Sequence, residues 1–192
     1  LKRSANRTIS YSTEKSSKMQ DSLCVIPYIQ NSVRLNPDST ALIWIPSAGK
    51  PSISHSYSQV WGRAQQVALA LRKAAAQSVR PENAALFPGQ PTVGLMIDEG
   101  PMLPIAMLGI LLARMVLVPM DPNDPLSRLQ SIADDAEPAI ILTQGDTANS
   151  IGRALQSAAS ATTDASKGKG PRADAPRRPP SVLIDASTMA TA

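Results

Sequence analysis

The side chains best equipped for chemistry in this chain are three small acidic pairs, one histidine and one cysteine. Asp98 and Glu99 are adjacent, Asp121 and Asp124 stand in Asp121-Pro122-Asn123-Asp124-Pro125, and Asp134 and Asp135 are adjacent. Paired carboxylates can divide acid and base work or hold a cation. Each pair also has a simpler explanation. Asp98 and Glu99 precede an apolar run, and carboxylates favour a helix N-terminus. Asp121 and Asp124 lie beside prolines, where Asx-turn hydrogen bonding accounts for them without a metal. Asp134 and Asp135 end a polar segment and read as a solvated face. His55 is the single histidine, which excludes most hydrolase triads and most zinc sites, and it reads as a surface or strand-end residue. Cys24, beside Val25, has no partner for an internal disulfide or a cysteine metal site, and reads as a small buried side chain. Gly168-Lys169-Gly170 lacks the strand before it and the helix after it that a phosphate loop needs.

The elements that must position these residues follow from periodicity. Leu23 to Leu35 mixes apolar and polar residues as a short helix would, and Asn36-Pro37-Asp38 signals a turn. Ala41 to Ile45 reads as a strand, Ser47 to Pro51 as a turn, and Ser52 to His55 as the returning partner of a hairpin. Ser56 and Gln59 have capping-box spacing. Val60, Ala64, Val67, Ala68, Leu71 and Ala75 then form one apolar stripe, so a helix is expected to run to about Gln77. Arg80 to Gln90 reads as a loop. Thr92 to Ile97 is a continuous apolar run of strand length, as in a parallel sheet covered on both faces. A helix to about Ala113, a strand at Val116 to Pro119, a helix at Pro125 to Asp135 and a strand at Ala139 to Thr143 follow. Ala148 to Ser160 reads as a helix and Ser181 to Asp185 as a final strand. Alternation of this kind lays down an α/β fold, a layered and mostly parallel sheet with flanking helices.

Composition sets the outer limits. A chain of 192 residues can bury one core, and with 3% aromatic residues that core must be aliphatic. The net charge of +4 is not evenly spread. Residues 1–20 hold five Lys/Arg against one acid and residues 161–180 five against two, while residues 21–160 hold nine against eleven. The body of the chain therefore has no basic footprint, and no nucleic-acid partner is expected. Residues 1–22 read as a disordered basic tail, with a composition shared by organellar transit peptides. Residues 23–160 form the α/β unit, residues 161–180 a disordered low-complexity insert, and residues 181–192 the final strand and chain end. Asn6-Arg7-Thr8 matches a glycosylation acceptor, read as chance without a signal peptide. Met102 to Ala113, the uninterrupted apolar stretch, is shorter than the roughly 20 residues a membrane span requires, so no span is expected. The lone cysteine fits a reducing, cytoplasmic setting. Leu1 in place of Met points to a fragment, a processed product or an incomplete reading frame.

Several segments together resemble the adenylate-forming (AMP-binding) superfamily of acyl-CoA synthetases, luciferases and non-ribosomal peptide synthetase adenylation domains. His55-Ser56-Tyr57-Ser58-Gln59-Val60, with Arg63-Ala64 after it, is similar to that family's first core motif, L-T-Y-x-E-L followed by R-A. Ile110 to Pro122 (ILLARMVLVPMDP) is similar to its second, L-K-A-G-x-A-Y-V-P-L-D-P. Ile140 to Gln144 resembles the strand that follows, and Ser181 to Asp185 the strand that precedes the nucleotide loop. The likeness covers roughly residues 25–145 and this last strand, and VPMDP and ILTQ bring it nearest to the adenylation-domain branch. Two positions depart from it: Arg114 stands at the family's glycine, where a helix C-terminus favours a left-handed residue, and Leu117 stands at its tyrosine.

The resemblance implies a partial N-terminal subdomain of a ligase that activates a carboxylic or amino acid with ATP and Mg²⁺ and passes the acyl group to a thiol of CoA or a carrier protein. It also implies that the phosphate loop, acid pocket, ribose-binding aspartate and catalytic lysine lie downstream. No catalytic, cofactor-binding or metal-binding residue carries over onto these 192 residues. The chain alone is therefore expected to bind no ATP and to be inactive. Two other readings remain open: a non-catalytic interaction or regulatory module descended from the family, and an unrelated doubly wound domain with a ligand at its strand ends.

Overall fold

The computed structural model describes residues 25–46, 50–77, 90–161 and 182–186. The expected basic tail, low-complexity insert and final residues, with Cys24, Gly168-Lys169-Gly170 and the Asn6 triplet, lie outside them. A helix α1 (Ile26–Leu35) leads into the hairpin β1 (Thr40–Trp44) and β2 (Ile53–Ser56). Then come α2 (Tyr57–Gln77), β3 (Thr92–Met96), α3 (Met102–Leu112), β4 (Val116–Pro119), α4 (Leu126–Ala136), β5 (Ile140–Thr143), α5 (Asp146–Ala161) and β6 (Val182–Asp185). The capping box forms as its spacing requires: the Ser56 amide donates to Gln59 Oε1 at 2.9 Å, and the Gln59 amide to Ser56 Oγ at 3.3 Å. This junction turns the hairpin directly into α2.

Four parallel strands make the sheet, in the order β4-β3-β5-β6, and β1 and β2 pair antiparallel apart from it. From β3 the chain steps one way to β4, then crosses back over β3 to β5. Right-handed crossovers in opposite directions put their helices on opposite faces. The packing shows this. Val93, Leu95, Ile97, Ile140 and Leu142 face α2 and α3, whereas Met96 and Ile141 face α4 and α5. Strands covered on both sides are near-continuous apolar runs, and each residue of β3 and of β5 is buried, including the threonines Thr92 and Thr143 at their ends.

With almost no rings to bridge gaps, the layers approach closely. A Cβ on Gly109 of α3 would lie 2.6 Å from Val67 Cβ and 3.0 Å from the Ala64 carbonyl oxygen, both on α2. The two helices therefore meet backbone to side chain.

The end of α3 explains how Arg114 occupies a glycine position. The Met115 amide reaches the Ile110 carbonyl at 3.2 Å and the Arg114 amide reaches Leu111 at 3.0 Å. This is a Schellman motif, and the side chains at its two ends, Ile110 and Met115, are both buried in the core that contains α2 and α3. Its left-handed position is filled by Arg114 at φ 61°. The Arg72 guanidinium, from α2, donates to the Leu112 carbonyl and places a cation at the negative end of the helix.

Two substitutions check this account by urea denaturation. Gly109→Ala should lower stability by about 1–3 kcal/mol through overpacking against α2. Arg114→Gly should raise it by about 1 kcal/mol, since glycine enters the left-handed region freely.

Candidate functional site

Open parallel sheets bind ligands outside the carboxyl ends of their strands, beside the point where strand order reverses. Here that edge carries two polar clusters. The first lines a groove of about 720 Å³ beyond β3 and β4. Its walls include Trp44 from the hairpin and Met107 from α3, and its rim carries Asp98, Glu99 and Asp121. Asp121 Oδ1 accepts from the Asn123 amide at 2.8 Å and from Asn123 Nδ2 at 3.0 Å. The same Nδ2 reaches Asp98 Oδ1 at 3.4 Å, so one side-chain amide ties the loop after β3 to the loop after β4.

The second cluster lies at the ends of β5 and β6. Thr143, fully buried, donates from Oγ1 to Asn149 Oδ1 and stands 3.1 Å from the Ile184 carbonyl. Asn149 Nδ2 donates to Asp185 Oδ2 at 2.7 Å.

The residues singled out in the sequence are distributed as follows. Asp98, Glu99 and Asp121 come together on the groove, while Asp124 is engaged by Arg128 at 3.2 Å. The Asx turn expected within Asp121-Pro122-Asn123 is present. Asp134 and Asp135 are exposed near the end of α4, and Asp134 accepts from Gln130 at 2.8 Å. The expected helix-start role of Asp98 and Glu99 is not observed. Gly100 and Pro101 intervene, α3 begins at Met102, and its first turn holds no acid. The proline fits that start with no side-chain cap, which leaves Asp98 for the inter-loop contact. His55 lies near the end of β2, as read, but is 9% exposed rather than on the surface.

Sequence reasoning missed Asn123, Asn149 and the polar ends of β5 and β6. The one available signal was a threonine closing the otherwise aliphatic run Ile140-Ile141-Leu142-Thr143. Among the described residues, no group of three or more His, Cys, Asp or Glu is placed to hold a metal ion. Among them also, no helix is long and apolar enough to cross a membrane.

A layered α/β sheet that carries a first motif at His55 to Val60 and a second at Ile110 to Pro122 can now be set beside known proteins. The sequence model of the AMP-binding enzyme family matches residues 29–190. The chain belongs to the AMP-binding enzyme family. Among curated members, a linear gramicidin synthase of Brevibacillus parabrevis is 27% identical over 122 residues, 64% of this chain and 1% of that protein. Chondramide synthase cmdD of Chondromyces crocatus is 34% identical over 117 residues, 60% of this chain and 3% of that protein. A solved four-domain nonribosomal peptide synthetase bound to AMP and glycine superposes with a TM-score of 0.54 at 26% identity. That match covers 86% of this chain and 9% of the synthetase. The AMP-binding segment seen here is thus a small part of each of these proteins.

His55, in the first family motif, gives a solution test. Burial, and next the Arg63 guanidinium, hold its imidazole below the ordinary 6.5, while a hydrogen bond with Gln59 pulls the other way. The unfolded chain therefore takes up a proton before the folded chain does. The contribution to stability is complete above the ordinary imidazole value and is lost as pH falls through it toward the lower folded value. The unfolding temperature should drop between about pH 7 and 5.5, and His55→Gln should flatten that slope. Parallel profiles for the two proteins would contradict the assignment.

Proposed function

We propose that this chain supplies the opening part of the adenylating domain of an amino-acid-activating ligase. In such a ligase a carboxylate would be joined to AMP with release of pyrophosphate, and the acyl group would pass to a carrier-protein thiol. The match to the AMP-binding family over residues 29–190 carries this reading. Supporting it are the peptide-synthetase relatives and the solved synthetase bound to AMP and glycine.

The described residues do not fit the triphosphate of ATP. The groove at the strand ends is rimmed by Asp98, Glu99 and Asp121 and has no Lys or Arg among its lining residues, so it would repel a triphosphate. No chemical step is assigned to residues of this chain. Its part is a scaffold that presents the carboxyl ends of parallel strands to the phosphate-binding and acid-binding parts of the ligase. The lone cysteine suits a cytoplasmic enzyme. The acidic groove also favours a second reading, a non-catalytic interaction module descended from the family.

ATP–pyrophosphate exchange with a panel of amino acids separates the two. The chain alone should give no exchange above the blank. The same chain, joined to following coding sequence that carries a Ser/Thr/Gly-rich phosphate loop, should exchange. Exchange by the chain alone would overturn the claim that it is a scaffold. A stable extended protein with no exchange would favour the module.

A further inference from the structure

The polar cluster at the ends of β5 and β6 has a direction fixed by its chemistry. The Asp185 carboxylate only accepts hydrogen bonds, so Asn149 must turn its NH₂ toward it, at 2.7 Å. That orientation leaves Asn149 Oδ1 facing Thr143, whose single hydroxyl proton is then shared between Oδ1 and the Ile184 carbonyl. Thr143, Asn149 and Asp185 form one donor-to-acceptor chain that ends on the carboxylate. It joins β5, the first turn of α5 and the last residue of β6, across a sequence separation of 36 between Asn149 and Asp185. With Thr143 fully buried, the chain runs where water competes poorly for it.

Packing holds the same corner. A Cβ on Gly152 of α5 would lie 2.5 Å from Leu183 Cδ1 and 3.2 Å from Thr143 Cγ2, so α5 rests directly on both strands. Ala186, the residue after β6, is fully buried. The backbone is therefore constrained at the point where it leaves the sheet.

We propose that Asn149 and Asp185 are positioning residues that fix the direction in which the chain leaves β6. This rests on the adenylation reading, in which the segment that grips nucleotide phosphate follows this strand. A parallel strand alone determines where its own amides lie. It does not determine the heading of the next residues, and a side-chain clamp at its last position does. Neither residue touches substrate or the reacting atoms.

The test is amide hydrogen exchange on the full chain without nucleotide, comparing residues 183–186 with β3. In Asn149→Ser the shorter side chain cannot reach Asp185. Residues 183–186 should exchange about tenfold faster while β3 stays within about twofold, the pattern of a local opening. Asp185→Asn keeps an acceptor for Asn149 and should stay near the parent rate. Equal acceleration of β3 and β6 in Asn149→Ser would overturn the proposal, since it would report lost global stability. Unchanged exchange at residues 183–186 would overturn it as well, as would an Asp185→Asn variant as fast as Asn149→Ser. No nucleotide enters this measurement, so its failure counts against the clamp alone. Failure of pyrophosphate exchange in the extended ligase counts against the adenylation reading alone.

Discussion

The close contact of α2 and α3 at Gly109 is the constraint on which the rest of the structure depends. Only 3% of the residues are aromatic, so few side chains are large enough to fill space between distant layers. An aliphatic interior reaches native density only if its layers come close. Gly109 lets α2 approach α3 within the reach of Val67 and Ala64. This in turn lets Leu71, Ile105 and Ile110, each fully buried, share one core with the near faces of β3 and β5. The far faces of the same strands, through Met96 and Ile141, then receive α4 and α5. Position in the sheet follows from burial: β3 and β5, buried at every residue, are central, and the half-exposed β4 and β6 are the edges.

Features with a local cause were legible in the sequence. Val116 to Pro119 is a strand with the expected bounds, because a short β-rich run lies between a helix end and a proline turn. Ser56 and Gln59 cap α2 because a capping box needs only residues three apart. The unusual backbone at Arg114 was foreseeable because helix ends have fixed geometry. The acids beside α3 were misplaced because an apolar run does not reveal which residue starts the helix, and Gly100-Pro101 moves that start beyond Asp98 and Glu99. The burial of His55 was missed because it depends on the hairpin closing, with His55 opposite Leu42. The contacts of Asn149 and Asn123 were out of reach for a stronger reason. Each joins segments 25 or more residues apart, and no periodicity records such a pair.

The two polar clusters at the carboxyl edge show how one sheet can serve different ends. At β3 and β4 the carboxylates are exposed and are bridged by a single side-chain amide, in a groove that has no cation among its lining residues. Phosphate recognition requires the opposite arrangement, amide donors or cations converging on an anion. At β5 and β6 the polar groups are half-buried or fully buried and linked to one another. Groups linked to one another in this way tie α5 to the ends of both strands. Loops at strand ends can vary in chemistry provided that the strands deliver them at fixed positions, and the cluster at β6 meets that condition.

Arg114 shows that a conformation can outlast the residue type that most favours it. A left-handed residue at this position costs a non-glycine side chain roughly 1–2 kcal/mol. Three hydrogen bonds favour the conformation regardless: the Met115 amide on the Ile110 carbonyl, the Arg114 amide on the Leu111 carbonyl, and the Arg72 guanidinium on the Leu112 carbonyl. Hydrogen bonds of this kind contribute on the order of 1 kcal/mol each, and together they offset much of the strain. Arg114 is exposed, so its own side chain displaces nothing in the core. If the turn were to relax, β4 would lose its register with β3, which begins two residues later at Val116 opposite Thr92. The geometry is therefore imposed by the strand that follows it, and the residue at the turn accommodates to it.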